Sequence, residues 1–138
     1  MGEVKITREL LDSYQKYRKE IPLLENELRE LWLTDKGFGS SVILDYRDGY
    51  PRPQSVVGFD GALYERRKTA LARKKEMVKA VEEWINGIED GQTRCIFRMY
   101  YIEGMSWARI SQKTGYGGNA DYPRIMIRDK YLKDMGIN

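Results

Sequence analysis

The chain contains no histidine and a single cysteine among its 138 residues. Histidine is the commonest general base and the commonest metal ligand, so its absence excludes histidine-dependent hydrolases and histidine-containing zinc sites. A lone cysteine allows neither an internal disulfide nor a thiolate cage for zinc. Cys95 stands between Arg94 and Ile96 in a mostly apolar segment, which predicts a buried small side chain. We expect no metal and no cofactor.

Paired carboxylates that would suggest an enzyme are also lacking. The neighbouring acids Glu82-Glu83 and Glu89-Asp90 occupy adjacent helical positions, whose side chains diverge. They indicate solvated surface rather than a catalytic pair, so we expect no catalytic residue and no enzymatic activity.

Long hydrophobic runs are missing as well. No stretch approaches the roughly 20 apolar residues that a bilayer span needs, and the N-terminus lacks the basic-then-apolar order of a secretion signal. These absences predict a cytoplasmic protein without a membrane partner. The length suits one domain or two small helical units.

Positive charge is concentrated near the C-terminus. The net charge is only +3, but residues 91–138 carry eight Lys or Arg and four Asp or Glu, an excess of four positive charges. Residues 1–34 carry six bases and seven acids. A polyanion such as nucleic acid would therefore bind at the C-terminal end.

The first helix is predicted from Leu10 by apolar residues spaced four and three apart, the a and d positions of a heptad repeat. Thr7 is a suitable N-cap, with Ile6 as its hydrophobic staple. Pro22 predicts a kink near Glu20 to Pro22 or a break into two helices. The seam comprises Leu10, Tyr14, Tyr17, Ile21, Leu24, Leu28 and Leu31.

Residues 35–62 contain five glycines and two prolines and predict a long connection. Within it, SVILDY and QSVV either pair as a hairpin or belong to an irregular insertion. A second heptad-like helix is expected over 63–86, and the two helices form either an antiparallel hairpin or the seam of a homodimer. The basic residues along 66–79 encircle this second helix, which favours a solvated surface over a phosphate-binding patch.

Residues 91–138 predict three short helices. The first runs over about 92–101 and ends at Gly104. Ser106 caps the second, which runs to about Thr114. After a glycine-rich turn, the third begins at Asn119 or Asp121, and Pro123 fits only in its first turn.

The register of these helices predicts which side chains face the core and which are exposed. Trp107 and Ile110 face the core on the second helix. On the third helix the expected inward residues are Ile127, Tyr131, Leu132 and Met135. Tyr116 and Tyr122 are the exposed aromatic candidates near the turn.

Long hydrogen-bond donors on the outer faces predict contacts with a DNA duplex, because arginine can bind guanine bidentately and lysine neutralises phosphate. Arg124, Arg128 and Lys130 are the leading groove contacts, and Lys133 lies toward the far end. Arg109, Gln112 and Lys113 would hold the DNA backbone, and Asn119 would cap the recognition helix.

The phrase YYIEGMSWARISQKTG closely resembles the start of the region-four helix-turn-helix of sigma-70-like factors. The wider layout is similar to small phage and prophage regulators near the RinA and ArpU late regulators, specifically from about Ile102 to Leu132. The match puts Gly104, Ser106, Trp107 and Ile110 in the scaffold, the glycine-glycine-asparagine turn at 117–119, and Leu132 at the closing core position.

The resemblance implies a double-stranded DNA-binding regulator of phage or prophage genes in a bacterial host cell, with RNA polymerase as a further candidate partner. The turn is about three residues longer than in an ordinary region four, and no promoter-melting region has a counterpart. An activator or accessory factor is therefore favoured over a complete initiation factor. A small terminase subunit and a coiled-coil adaptor are the alternatives.

Taken together, the sequence predicts an all-α protein. Residues 1–90 are expected to form a coiled-coil-like helical hairpin with an insert at 35–62. Residues 91–138 are expected to form a three-helix, helix-turn-helix unit.

Overall fold

The structure, a computed structural model, describes residues 3–35, 42–45, 52–55 and 60–138. Apart from one short two-stranded ribbon, the regular elements in these ranges are helices, so the expected all-α class is confirmed. The helices are α1 (Arg8–Asp35), α2 (Gly61–Asn86), α3 (Gly91–Phe97) with a π-helical continuation (Arg98–Ile102), α4 (Trp107–Thr114), and a π-helical segment (Tyr122–Asp129) that continues as α5 (Lys130–Asp134). The π-helical segment Tyr122–Asp129 and α5 together form the C-terminal helix.

Helix α1 begins where the sequence places its cap. The Thr7 hydroxyl accepts the backbone N–H of Leu10 at 3.0 Å, which satisfies one of the free donors of the first turn. The helix continues through Pro22 to Asp35, so of the two predicted alternatives the break into two helices is wrong, and the kink stays a prediction. The missing N–H of one proline removes a single hydrogen bond, which 28 residues of helix tolerate.

The ribbon lies inside the expected insert. Strands β1 (Val42–Asp45) and β2 (Arg52–Ser55) are antiparallel, with Val42 opposite Ser55 and Asp45 opposite Arg52. The hairpin alternative is therefore correct for these residues, although the second strand lies two residues earlier than QSVV. The remaining part of the 35–62 prediction, apart from 60–62, lies outside the described residues.

The chain divides into two compact units, one of Met1–Lys19 with Lys74–Asn138 and one of Glu20–Arg73. This division does not coincide with the expected boundary between residues 90 and 91, because α1 and α2 each contribute to both units. Whether 91–138 forms a domain of its own stays a prediction. Among the described residues, none of the helices combines the length and hydropathy that a bilayer span requires.

The first unit is built around Phe97, which is fully buried and meets three aromatic rings. Its ring centroid lies 5.8 Å from Trp84, 5.6 Å from Tyr101 and 5.4 Å from Tyr131. Such offset and edge contacts add to the stabilisation from burial. The buried core consists of Leu11, Tyr14, Val81, Ile85, Ile88, Phe97, Tyr101 and Leu132.

Contacts between α1 and α2 occur within each unit. In the first unit the Tyr14 hydroxyl donates to Glu82, and the Lys74 ammonium lies 5.4 Å from the Tyr17 ring centroid. In the second unit, separately, Arg67 pairs with Glu27 at 2.8 Å. In the first unit, later residues of α1 contact earlier residues of α2, which is an antiparallel arrangement.

Two predicted core residues are exposed instead. Cys95 is exposed because the buried face of α3 begins one residue later, at Ile96 and Phe97. Met135 is 51% exposed because it follows the last residue of α5 and lies in the closing turn. The predictions of a buried Cys95 and an inward Met135 are therefore wrong.

Because Tyr14 is buried, the fold becomes less stable as the pH rises through the alkaline range. Burial and the hydrogen bond and charge of Glu82 raise the pKa of Tyr14 from 10.0 to about 12. Between pH 10 and 12 the unfolded chain releases this proton and the folded chain keeps it, so the free energy of unfolding falls as pH rises.

We predict that the wild type loses about 2 to 3 kcal/mol more of this free energy over that interval than Tyr14→Phe, since one pKa unit corresponds to about 1.4 kcal/mol. Urea unfolding at a series of pH values measures both proteins. At neutral pH the variant should be about 1 kcal/mol less stable, from the lost hydrogen bond. Parallel curves for the two proteins would contradict the assignment.

Candidate nucleic-acid interface

Helix α4 is fixed at both ends by local chemistry. Ser106 has an extended backbone, and its hydroxyl accepts the N–H of Arg109 at 3.2 Å. Gly115 closes the helix with a φ of 88°, and its N–H donates to the carbonyl of Ser111. A φ in this range is easily adopted only by glycine. The predicted start and end of this helix are therefore confirmed.

The turn after α4 holds two more left-handed glycines, Gly117 and Gly118, with φ of 65° and 85°. The Asn119 side chain then accepts the N–H of Asp121 at 3.2 Å, and the Asn119 carbonyl accepts the N–H of Tyr122 at 3.2 Å. Asn119 thus satisfies backbone donors in the turn before the C-terminal helix. The N-cap position itself is Asp121, whose side chain makes no capping hydrogen bond. Pro123 is buried in the first turn.

Arg128 is buried and joins three segments of the first unit. Its Nε donates to Asp129 at 2.6 Å and its Nη1 to the Tyr101 hydroxyl at 3.2 Å. The guanidinium carbon lies 5.0 Å from the centroid of Trp107 and 5.4 Å from that of Tyr100. The π-helical segment after α3, α4 and the C-terminal helix therefore meet at one side chain.

The rings against Arg128 are themselves stacked. Tyr100 and Trp107 have centroids 4.2 Å apart and an angle of 19° between their planes. A planar guanidinium packs well on such faces and is attracted by them. Asp129 also pairs with Arg8 at 3.0 Å, which brings the start of α1 to the same cluster.

The electrostatics of the cluster keep Arg128 charged. Its burial lowers the pKa of the guanidinium, but the hydrogen bond to Tyr101 and the charge of Asp129 outweigh this and the pKa is raised. Burial raises the pKa of the Tyr101 hydroxyl, and the hydrogen bond and charge of Arg128 oppose this rise.

The prediction that Arg128 points outward toward a groove is wrong, because only 6% of the residue is exposed. It lies four residues before the buried Leu132 and so on the same helical face. The burial of Arg128 could have been predicted from this spacing and from the tyrosines at positions 100 and 101. Arg128 acts within the fold rather than at its surface.

The other predicted contacts lie on the surface of this unit. Arg124 is held by Asp121 at 2.7 Å, and its side chain is 38% exposed. Arg124 is therefore less accessible than the remaining donors. Those classed as exposed are Arg109, Gln112 and Lys113 on α4, Asn119 in the turn, and Lys130 and Lys133 on α5.

Apolar residues occupy the surface that Arg128 was expected to share. Ile125 is 43% exposed and Met126 51% exposed, and the Tyr122 ring at the start of the helix is 40% exposed. Sequence reasoning singled out only Tyr122. The remaining signal was available in the register, since burying Pro123, Arg128 and Leu132 leaves Ile125 and Met126 on the opposite side.

Within the described residues, no group of three or more Cys, Asp or Glu side chains is placed to hold a metal ion. Comparison of the chain with protein-family models, with curated proteins and with solved structures found no match.

Removal of Arg128 tests its place in the fold. We predict that Arg128→Met lowers the free energy of unfolding by about 2 to 3 kcal/mol, because Tyr101 loses its partner and Asp129 keeps only Arg8. The matched change Arg124→Met removes an exposed pair and should cost under about 1 kcal/mol. Urea unfolding measures both, and equal costs would mean that Arg128 is not a buried link.

Proposed function

We propose that this chain binds double-stranded DNA and regulates transcription, with α4 and the C-terminal helix acting as a helix-turn-helix of the sigma region-four type. In this proposal the N-terminal helices form a hairpin that supports the DNA-binding unit. Phage or prophage genes are the proposed targets, as the resemblance implies.

The observation that carries the proposal is the packing between the two helices. A helix-turn-helix needs a fixed angle between a helix that crosses the DNA backbone and a helix that enters the major groove. Here Ser106 and Gly115 determine where α4 begins and ends, and Asn119 accepts a backbone N–H in the turn that follows. Arg128, packed on Trp107, links α4 to the C-terminal helix from inside.

The exposed donors suit the two roles. Arg109, Gln112 and Lys113 on α4 are exposed and of the types that bind phosphate. On the C-terminal helix, Lys130 and Lys133 offer flexible charges, which neutralise phosphate without reading sequence. Arg124 is the remaining candidate for bidentate contact with guanine, and its bond to Asp121 orients it.

A phosphate-binding surface makes affinity depend on salt. Each neutralised phosphate contributes about −0.9 to the slope of log K against log salt concentration on duplex DNA. Three to four lysine or arginine contacts would give a slope of roughly −3, which follows from the same relation.

We predict that Lys113→Ala and Lys130→Ala each weaken duplex binding and reduce the salt slope by about one. Lys79→Ala on α2 is the matched control, since its side chain is 77% exposed and pairs only loosely with Glu83 at 3.9 Å. Fluorescence anisotropy on duplex fragments at several KCl concentrations measures the slopes. If Lys79→Ala lost as much duplex affinity as the two test variants, the phosphate contact would be assigned to the basic surface of α2 instead.

Selection of bound fragments from the source genome tests the regulatory part. Recovery of promoter-proximal fragments supports it. Recovery of a packaging-site fragment would instead favour a small terminase subunit, and failure to retain any duplex would favour a coiled-coil adaptor. Sedimentation of the wild type and of Leu24→Glu, a change in the predicted seam, reports whether the N-terminal helices also join two copies.

A further inference from the structure

The C-terminal helix presents apolar side chains where a groove-reading helix meets DNA. Ile125 and Met126 are adjacent, 43% and 51% exposed, and lie one turn after the start of the helix at Tyr122. Buried Pro123, Arg128 and Leu132 mark the opposite face. These two side chains thus project from the part of the helix that is first to enter a groove in this motif.

The charges around the two side chains differ in sign. Lys130 lies four residues after Met126 and therefore near it on the same side of the helix, and Lys133 follows three residues later. Ile125, by the same spacing, lies near two acids that arginines already pair: Asp121 with Arg124, and Asp129 with Arg8 and Arg128. Lys130 is therefore the cation beside the apolar side chains that would meet a phosphate.

The major groove offers one apolar group to such a pair. Thymine carries a 5-methyl group at its major-groove edge, and apolar side chains contact it there.

We propose that Ile125 and Met126 read thymine through its 5-methyl group and so give the protein a preference for thymine at the centre of its contact. The inference rests on the proposed DNA binding. It names a determinant of specificity that does not depend on hydrogen bonds.

Uracil isolates this contact, because it pairs as thymine does and lacks only the methyl group. A random-centred duplex pool is selected on the wild-type protein, and the enriched duplexes are copied with either dTTP or dUTP. We expect the thymine copies to bind roughly fourfold more tightly for each methyl group contacted, the factor that corresponds to burying one CH₂-sized group.

Ile125→Ala and Met126→Ala should each reduce the thymine-to-uracil ratio of affinities. Met135→Ala is the control, because Met135 is a methionine like Met126 and, at 51%, is exposed to the same extent. It should leave the ratio unchanged. Thermal unfolding by circular dichroism checks that all three variants keep the wild-type fold, as expected for exposed positions.

Each outcome decides the matter. A ratio that falls in both test variants and not in Met135→Ala supports the inference. Duplex binding with equal affinity for the thymine and uracil copies overturns it and leaves the proposed function standing. Absence of salt-dependent duplex binding overturns the proposed function itself. If Ile125→Ala or Met126→Ala changes the sedimentation of the protein and not the ratio, the pair is a protein-docking surface and the inference is wrong.

Discussion

The placement of the C-terminal helix depends on the buried guanidinium of Arg128. Burying an unpaired charge costs several kcal/mol, so the side chain is stable there only because its surroundings replace water. Asp129 and the Tyr101 hydroxyl accept its hydrogen bonds, and the faces of Trp107 and Tyr100 cover it. Any change in the angle between α4 and the C-terminal helix would break part of this set. In the proposal, the DNA-binding geometry is therefore maintained by an arginine that is itself buried.

The parts of the fold that sequence predicts well are those governed by local chemistry. Thr7 and Ser106 cap their helices, and the left-handed Gly115 ends α4, because each needs only a backbone donor or conformation within a few residues. The start of α2 was expected two residues late, and its end was expected at Asn86, where it is observed. Hydrophobic spacing also identified Ile110 and Leu132, both fully buried.

The errors concern contacts between elements. The sequence places a basic residue at position 128 but does not say that two aromatic rings from earlier helices will cover it. Cys95 and Met135 were misplaced because single-residue burial depends on where the neighbouring helices lie, and not on the residue type alone. Of the predicted DNA contacts, Arg128 is buried and the others are exposed or partly exposed. That they form an interface stays a prediction, and the burial of Arg128 leaves Ile125 and Met126 exposed on the other side of the helix.

The burial of Arg128 limits how the C-terminal helix could recognise DNA in the proposed complex. In the proposed complex, Lys130 and Lys133 would supply affinity without sequence information, and Arg124 forms an ion pair with Asp121. With Arg128 inside the fold, one arginine and one apolar pair remain for reading base edges from this helix. So short a set of contacts gives limited discrimination for one copy, and a second copy bound alongside would extend it through effective concentration. A homodimer through the N-terminal helices, one of the two arrangements predicted for them, would provide such a second copy.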